Sequence, residues 1–354
     1  MSITDVRCRR ITMALHSPFV TALRTTSTVE TLVVELVDDG VRGFGEAPQV
    51  WRVTGESVAG AEACILGPLR DVVSGRSSDD LTDLARAVSV AVVGNAGAKA
   101  AVDVALHDLA ARRLGVSLSR LLGSSRSRVD TDVTVSAGAV DQIGADAAAR
   151  VSDGFSVLKL KVGTDAATDV DRVRAVRAVV GPDVAIRLDA NQGWTTKQAI
   201  RVVHDLEDAG LDIELVEQPV AAHDLAGLAA VTAAVDTPIL ADEAVFGLRD
   251  LTAVIELRAA DLVNVKLAKC GGLSVATTML DLAAAHGLGT MVGSMMEGPI
   301  GVTAAASLVA SRPTTVVSDL DAAWWLAEQV PDGPTYDAGT IVLSDRPGLG
   351  IDSL

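Results

Sequence analysis

Eight short β-like segments recur along the chain from about residue 128 onward, each followed by a stretch of helical character. Their spacing of roughly 24 to 29 residues is the length of one strand and one returning helix. This repeat predicts parallel strands joined by helical crossovers, and eight such strands close a barrel. An open doubly wound sheet is the competing architecture. The segments are TDVTVSA, SVLKLKV, VAIRLDA, DIELVEQ, TPILADE, LVNVKLA, GTMVGSM and TTVVSDL.

The first third of the chain has a different pattern. Two β-like runs are followed by the turn signal Asp39-Gly40, which predicts an antiparallel hairpin. Further on, AGAKAAVDVALHDLAARRLG predicts a helix that stops at Gly115. We therefore predict an α+β domain over residues 1–125 and a barrel over residues 126–329. The tail, residues 330–354, is predicted to be a last strand and turn that completes the first domain.

Composition narrows the classes of function. The net charge of −16 opposes binding to nucleic acid or to an anionic membrane, which favours a small-molecule partner. No apolar run approaches the roughly 18 to 20 residues that span a bilayer, and we read no signal peptide, so a cytoplasmic location is expected. The three cysteines form no paired spacing, which predicts reduced thiols and no zinc cluster. An apolar content of 49% is compatible with a homo-oligomer.

Charged residues stand at or near the ends of five successive predicted strands. Because parallel strands present their C-terminal ends on one side of a barrel, these side chains are expected to converge on one pocket. The residues are Lys161, Asp189, Glu217, Asp242 and Lys266, separated by 28, 28, 25 and 24 positions.

The three acids among them predict a metal site. Carboxylates at neighbouring strand ends would repel one another without a cation between them. An all-oxygen set with room for substrate and water suits Mg²⁺. We expect Asp189, Glu217 and Asp242 to hold one Mg²⁺ per subunit.

The lysines predict the chemistry. Lys159 and Lys161 are two apart on one strand, so both project into the barrel mouth, and a neighbouring ammonium would favour Lys161 as a base. Lys266 ends the strand four steps further round the ring and is expected to approach from the opposite side. One lysine would remove the α-proton of a metal-held carboxylate substrate, giving a metal-stabilised enediolate, and the other would return a proton to the opposite face.

These motifs, KLKVG, DANQGW, VEQP, ADEAV and NVKLAKCGG, resemble the signature of the enolase superfamily in its muconate-lactonizing-enzyme subgroup. The resemblance covers most of the chain. It implies a modified (β/α)7β TIM barrel with an α+β capping domain, Mg²⁺ on the three acids, and Lys161 and Lys266 as the acid/base pair.

The periphery discriminates among the reactions of this subgroup. Asp319 and Asp321 in SDLDAAWW resemble the Asp-x-Asp pair that receives the substrate's α-amino group in dipeptide epimerases. Arg24 lies where the family has its specificity loop and would favour an acidic C-terminal residue. Lys159, Thr134 and Ser294 are further expected substrate contacts. Asn191 and Gln192 are expected to orient the carboxylate of Asp189. Glu297 is expected either to orient Lys266 or to cap a helix. Lys269 is expected to lie in a loop without a catalytic role.

The resulting prediction is a Mg²⁺-dependent epimerase that inverts the α-carbon of the C-terminal residue of an L-Ala-D/L-Glu-like dipeptide. N-acylamino acid racemisation, o-succinylbenzoate synthesis and muconate cycloisomerisation are alternatives on the same core. Their substrates lack an ammonium group, so Asp319 and Asp321 would have no cation to bind. A non-catalytic metal-binding homologue is a less favoured alternative, since all five core charged residues are present.

Overall fold

The N-terminal part of the chain begins with an antiparallel sheet. The computed structural model describes residues 2–21 and 25–352. Its first sheet has the order β1-β2-β3, in which β1 is Ile3–Val20, β2 is Thr25–Asp38 and β3 is Val41–Pro48. The predicted turn at Asp39-Gly40 is confirmed, because both residues adopt positive φ angles, 52° and 81°, between β2 and β3.

Helices pack on one face of this sheet. The longest, α4, ends with Gly115 in the left-handed conformation at φ 69°, as the sequence predicts. The sheet approaches α4 closely at Gly45, where a Cβ atom would lie only 1.8 Å from the carbonyl oxygen of Ala101. The helices are α1 (Val58–Cys64), α2 (Arg70–Val73), α3 (Leu81–Val90), α4 (Ala96–Leu114) and α5 (Leu118–Leu121), with a π-helical segment, Ile65–Leu69, between the first two.

The second part of the chain is a curled parallel sheet. The chain reaches it through the short strand β4 (Arg128–Asp130). Seven parallel strands then follow one another in sequence order from one edge of the sheet to the other. They are β5 (Val133–Val135), β6 (Val157–Lys161), β7 (Ala185–Asp189), β8 (Ile213–Glu217), β9 (Ile239–Ala241), β10 (Leu262–Lys266) and β11 (Gly289–Gly293).

Helices return the chain from each strand to the next. Helix α8 shows how the sequence starts one: Thr195 and Gln198 form a reciprocal capping box, in which the Gln198 side chain accepts from the Thr195 backbone N–H at 2.9 Å. Helix α13 is buried along nearly its whole length. The helices are α6 (Val140–Ser152), α7 (Ala166–Val180), α8 (Thr196–Asp208), α9 (Leu225–Thr232), α10 (Leu248–Leu257), α11 (Leu267–Cys270), α12 (Leu273–Ala285) and α13 (Pro299–Ser311).

The segment predicted as an eighth strand, TTVVSDL, makes only isolated bridges. Ser318 bridges Thr131 just before β5, and Asp319 bridges Gly293 at the end of β11. One or two residues therefore span the gap between the two edge strands, which is too little pairing for a full strand. The expectation of an eighth strand is corrected in this detail, and the modified (β/α)7β fold with its separate antiparallel domain is confirmed.

The C-terminal tail contacts both parts of the chain. Strands β12 (Thr335–Asp337) and β13 (Thr340–Val342) form a small sheet with β4. Beyond them, the backbone N–H of Leu349 donates to Asp108 of α4 at 2.6 Å. The division of the chain at residue 125, with the tail assigned to the first domain, stays a prediction.

Buried aliphatic side chains fill the space between the parallel strands and their helices. On β6, Leu158 and Leu160 are fully buried in this core, whereas Lys159 and Lys161 alternate with them and face the barrel interior. Across residues 2–21 and 25–352, none of the helices has the length and apolar character that crossing a bilayer requires.

We predict that Gly45→Ala lowers the free energy of unfolding by about 3 kcal/mol or more, because the added methyl group collides with the α4 backbone. Urea unfolding followed by circular dichroism measures the change. Gly247→Ala is the matched control, since its added Cβ meets nothing within 4 Å and its φ of 179° suits any residue. Equal stability of the two variants would contradict the close packing of β3 on α4.

Candidate active site

Three buried carboxylates stand in a row at the C-terminal ends of neighbouring strands. Asp189 ends β7, Glu217 ends β8, and Asp242 directly follows β9. All three residues are at most 2% exposed. The predicted convergence of the three acids on one side of the barrel is therefore present in the structure.

Two lysines from β6 contact one end of this row. The Nζ of Lys161 donates to Asp189 Oδ2 at 2.6 Å. Lys159 lies deeper, only 1% exposed, and its Nζ is 3.1 Å from Asp189, 2.6 Å from Glu217 and 2.8 Å from Asp319. Lys159 thus links the carboxylate row to the acid pair on the other side of the barrel mouth.

Two more lysines contact the opposite end of the row. Lys266, the last residue of β10, donates to Asp242 Oδ2 at 2.8 Å. Lys269 donates to the other oxygen of Asp242 at 2.5 Å and is only 2% exposed. Lys269 lies in helix α11, so its expected position in a loop is wrong; the helix turns its side chain back under the strand ends.

The order of these groups follows the order of the strands. Lys161 on β6 and Lys266 on β10 are separated by β7, β8 and β9, which carry the carboxylates. Each lysine contacts the carboxylate nearest to its own strand. The two ammonium groups therefore approach the row from opposite ends.

Burial and neighbouring charges shift the pKa values of the ionisable groups in and beside this row. Burial raises the pKa of Glu217 to about 7. The charge of Lys159 opposes this shift, and the charges of Asp189 and Asp242 add to it. Burial and then the charge of Asp242 raise the pKa of the neighbouring Glu243 to about 8. Burial acts to lower the pKa of Lys266, but the surrounding acids, Asp242 foremost, together outweigh it and raise that pKa above its ordinary value.

The donor set fits a hard cation, although lysines now lie among the acids. Within the described ranges, no three His, Cys, Asp or Glu side chains are arranged as a ready metal site. The Nζ atoms of Lys159, Lys161 and Lys266 pair with the three carboxylates instead. Glu217 Oε2 makes no hydrogen bond of normal geometry despite its contact with Lys159. Every atom that the three acids could offer to a cation is a carboxylate oxygen. Asp189, Glu217 and Asp242 could therefore hold Mg²⁺ once the ammonium groups withdraw.

Further polar residues fix the orientation of these acids. Asn191 contacts Asp189 through its backbone N–H, which donates to Asp189 Oδ1 at 2.9 Å, while its side-chain amide donates to Glu243 at 3.2 Å. Gln192 instead accepts from the Ala222 backbone at 3.0 Å. Two residues that sequence reasoning missed act here: Asn264 donates to Glu217 at 2.9 Å, and Gln218 accepts from the Asp242 backbone at 2.9 Å. Asn264 is two residues before Lys266, so strand alternation could have indicated it.

The Asp319 and Asp321 pair lies across the mouth from the carboxylate row. Asp319 accepts from Lys159, whereas Asp321 Oδ2 accepts from the Thr134 backbone N–H at 2.8 Å. Ser294, just after β11, donates through its backbone N–H to the carbonyl of Asp319 at 2.8 Å. The structure thus brings Thr134, Ser294 and both aspartates together.

A cleft connects the two ends of the carboxylate row, at Lys161 and Asp242, with the side of the barrel mouth that carries Asp319 and Asp321. Thr134, Lys161, Lys266, Ser294, Asp319 and Asp321 line it. The N-terminal domain supplies Phe19, Arg52 and Val53, which sequence reasoning missed because no spacing rule connects them to the strand ends. The expected specificity residue Arg24 lies outside the described residues.

Glu297 is buried behind Lys266 but does not cap the following helix. The first turn of α13 is capped by Glu46 of β3, which accepts from the backbone of Gly298 at 2.6 Å and of Gly301 at 3.1 Å. Glu297 accepts from the Met295 backbone at 3.2 Å. The capping role considered for Glu297 therefore belongs to a residue of the other domain.

The sequence matches two family descriptions that together span most of the chain. Residues 3–123 match "Mandelate racemase / muconate lactonizing enzyme, N-terminal domain", and residues 142–353 match "Enolase C-terminal domain-like". The chain belongs to the mandelate racemase and muconate lactonizing enzyme family. This membership confirms the resemblance to the enolase superfamily.

Similar proteins in this enolase-superfamily group include epimerases and racemases. The L-Ala-D/L-Glu epimerase of Bacillus subtilis is 44% identical over 99% of this chain and 97% of its own, and its substrate-liganded structure superposes with a TM-score of 0.96 over 99% and 98% of the two chains. The dipeptide epimerase of Enterococcus faecalis, solved with Mg and L-Leu-L-Tyr, is 35% identical with a TM-score of 0.95 and full coverage of both chains. These relatives confirm the prediction of an isomerase.

We predict that the stability of this superfamily member falls as pH rises through neutrality because of Glu297. Burial, and next the charge of Glu46, raises the pKa of Glu297 from 4.5 to about 8. Between these values the folded state keeps a proton that the unfolded state releases, so the contribution of Glu297 to stability is fully present below pH 4.5 and is lost as the pH rises to about 8. Glu297→Gln should flatten this dependence and exceed the wild type in stability at pH 9, by about 1.4 kcal/mol per unit of pKa shift.

Urea unfolding at a series of pH values measures this difference. Glu256→Gln is the control, because Glu256 is exposed on α10. Parallel pH profiles for the wild type and Glu297→Gln would show that the Glu297 carboxyl ionises normally.

Proposed function

We propose that the chain is a Mg²⁺-dependent dipeptide epimerase that inverts the α-carbon of the C-terminal residue of an L-Ala-D/L-Glu-like dipeptide. The observation that carries this proposal is the placement of Lys161 and Lys266 at opposite ends of one carboxylate row, inside one cleft. Inversion requires a proton to leave one face of a carbon and another to arrive at the opposite face. Two amines on opposing sides of the substrate meet that requirement.

Asp189, Glu217 and Asp242 would hold the cation. Their geometry is compatible with one Mg²⁺ per subunit, and the solved dipeptide epimerase of Enterococcus faecalis contains Mg. When bound, Mg²⁺ would supply positive charge that stabilises negative charge on the substrate carboxylate and its α-carbon. The remaining steps fall to residues of the chain.

Lys161 and Lys266 would exchange roles according to the epimer that binds. The lysine facing the α-hydrogen must be unprotonated, and its counterpart must carry a proton. In the structure both amines are paired with carboxylates, Lys161 with Asp189 and Lys266 with Asp242. Substrate binding would therefore have to draw one lysine away from its carboxylate before it can act as a base.

Asp319 and Asp321 would bind the free α-amino group of the dipeptide. Both are buried at no more than 5% exposure and both line the cleft, so an ammonium there would form charge-assisted hydrogen bonds away from bulk water. This pair distinguishes the proposal from N-acylamino acid racemisation, whose substrates have no free α-amino group. That reaction is the second candidate, because the N-succinyl-L-Arg/Lys racemase of Bacillus cereus is 32% identical to this chain.

The second side chain of the dipeptide would meet residues of the N-terminal domain. Arg52 lines the cleft beside Val53 and Phe19, and Arg24 is the cation that the sequence assigns to an acidic substrate residue. A glutamate side chain would find positive charge on this side. We further propose that the protein is cytoplasmic and that it forms a homo-oligomer.

We predict that Lys161→Met and Lys266→Met each lower epimerisation by at least about 10²-fold, because each removes the acid or base on one face. Each variant should still exchange the α-hydrogen of one epimer with D₂O, and the two variants should retain opposite epimers. Proton NMR of both epimers in D₂O measures the exchange. Lys197→Met, on the exposed side of α8, is the control. Loss of exchange with the same epimer in both variants would contradict the two-sided arrangement.

We predict that the wild type binds one Mg²⁺ per chain and that Glu217→Gln weakens this binding at least about tenfold. Isothermal titration with MgCl₂ measures the affinity without any turnover. Glu297→Gln removes a buried carboxyl outside the row and should leave the affinity unchanged. Mg²⁺ affinity that is insensitive to Glu217→Gln would place the cation elsewhere.

A further inference from the structure

A cluster of aromatic side chains joins the N-terminal domain to the barrel next to the cleft. It comprises His16 and Phe19 of β1, Phe155, and the neighbouring residues Trp324 and Trp325, and we call it the aromatic cluster. The His16 ring stacks on Trp325 at a centroid distance of 5.0 Å, and Phe19 meets the same indole edge-on at 5.4 Å. Trp325 is therefore held by two residues of β1.

Trp325 also makes a polar contact inside the barrel. Its Nε1–H donates to Asp321 Oδ2 at 2.9 Å, and Trp325 is only 4% exposed. The same oxygen accepts from the Thr134 backbone N–H. Two donors on one oxygen fix the plane of the carboxylate, and this directs the second oxygen, Oδ1, toward other partners.

The cleft wall is part of the same arrangement. Phe19 lines the cleft, and the Nζ of Lys161 lies 5.9 Å from the centre of its ring. One indole thus contacts a cleft residue of the N-terminal domain in a T-shaped arrangement and an acid of the barrel through its N–H. A shift of β1 would move Phe19 and His16 and would disturb the hydrogen bond to Asp321.

We propose that Trp325 is a positioning residue that holds Asp321 in the orientation that binds the substrate's ammonium group, and that it couples this orientation to the seating of β1 on the barrel. The inference rests on the proposed dipeptide function and adds to it a residue that determines recognition of the free amine. A hydrogen bond from a neutral donor to a buried carboxylate strongly constrains the acceptor, so its loss should weaken ammonium binding.

Trp324 provides a matched control within the same cluster. Its indole contacts His16 at 4.9 Å and Phe155 at 5.4 Å, and the guanidinium of Arg150 lies 4.6 Å from its ring centre. Only its backbone N–H bonds to Asp321, through the carbonyl oxygen at 2.9 Å. Trp324→Phe therefore removes a similar aromatic surface without changing the donors to the Asp321 carboxylate.

The test compares Trp325→Phe with Trp324→Phe on a dipeptide and on its N-acetyl form, which lacks the ammonium group. KM and kcat are measured from Cα-hydrogen exchange in D₂O with Mg²⁺ present, and binding of both compounds is measured by calorimetry. Trp325→Phe should raise KM for the free-amine dipeptide about tenfold with a small effect on kcat. It should also reduce the preference for the free amine over the N-acetyl form, whereas Trp324→Phe should keep that preference.

A double-variant cycle separates positioning from folding. If Trp325 acts through Asp321, adding Trp325→Phe to Asp321→Asn should cause no further loss of amine preference. Equal changes in Trp325→Phe and Trp324→Phe, or full additivity in the cycle, would overturn the inference while leaving the epimerase intact. If the wild type neither binds nor exchanges any dipeptide, the proposed function fails, and the ammonium role of Trp325 fails with it.

Discussion

The arrangement of the barrel mouth depends on the balance between buried carboxylates and buried ammonium groups. Parallel strands bring Asp189, Glu217 and Asp242 so close that each needs a positive partner in a water-poor setting. Lys161 and Lys266 supply those partners at the two ends of the row, and Lys159 supplies the partner of Glu217. The same residues that make the row stable in the structure are thus the ones that a bound cation would release. The structural charge pairing and the proposed proton transfer would therefore depend on the same side chains, Lys161 and Lys266.

The N-terminal domain is fixed to this site by buried carboxylates at helix N-termini. Glu46 caps α13, and Asp103 of α4 accepts from the backbone of Leu273 and Ser274 at the start of α12. The N-terminal end of a helix carries unpaired N–H groups and a partial positive charge, so an acid from another domain is held there firmly. Both helices lie beside β11, close to Ser294. Residues such as Phe19 and Arg52 can line the cleft because these contacts set the position of the domain that carries them.

The sequence predicts the parts of this protein that depend on local rules. The turn at Asp39-Gly40, the end of α4 at Gly115 and the strand-end acids follow from positive φ preference and from the strand-helix repeat. Strand alternation also predicts that Lys159 and Lys161 face inward. The contribution of Arg52 could not be predicted, because it depends on how two domains pack and no periodicity links it to the barrel. The burial of Lys269 was missed for a related reason: the turn that follows β10 becomes a helix, which returns the side chain to Asp242.

The charges behind Asp319 and Asp321 explain why a cationic substrate group suits this side of the cleft. Asp132 is completely buried in the barrel and pairs with the equally buried Arg187 at 3.0 Å. Three carboxylates, those of Asp132 and the pair, thus have two cationic partners, Arg187 and Lys159. Burial and then the charge of Asp319 raise the pKa of Asp132 and of Asp321, as expected where negative charge exceeds positive. An ammonium group would restore the balance, whereas an N-acylated substrate would bury the same excess charge without compensation.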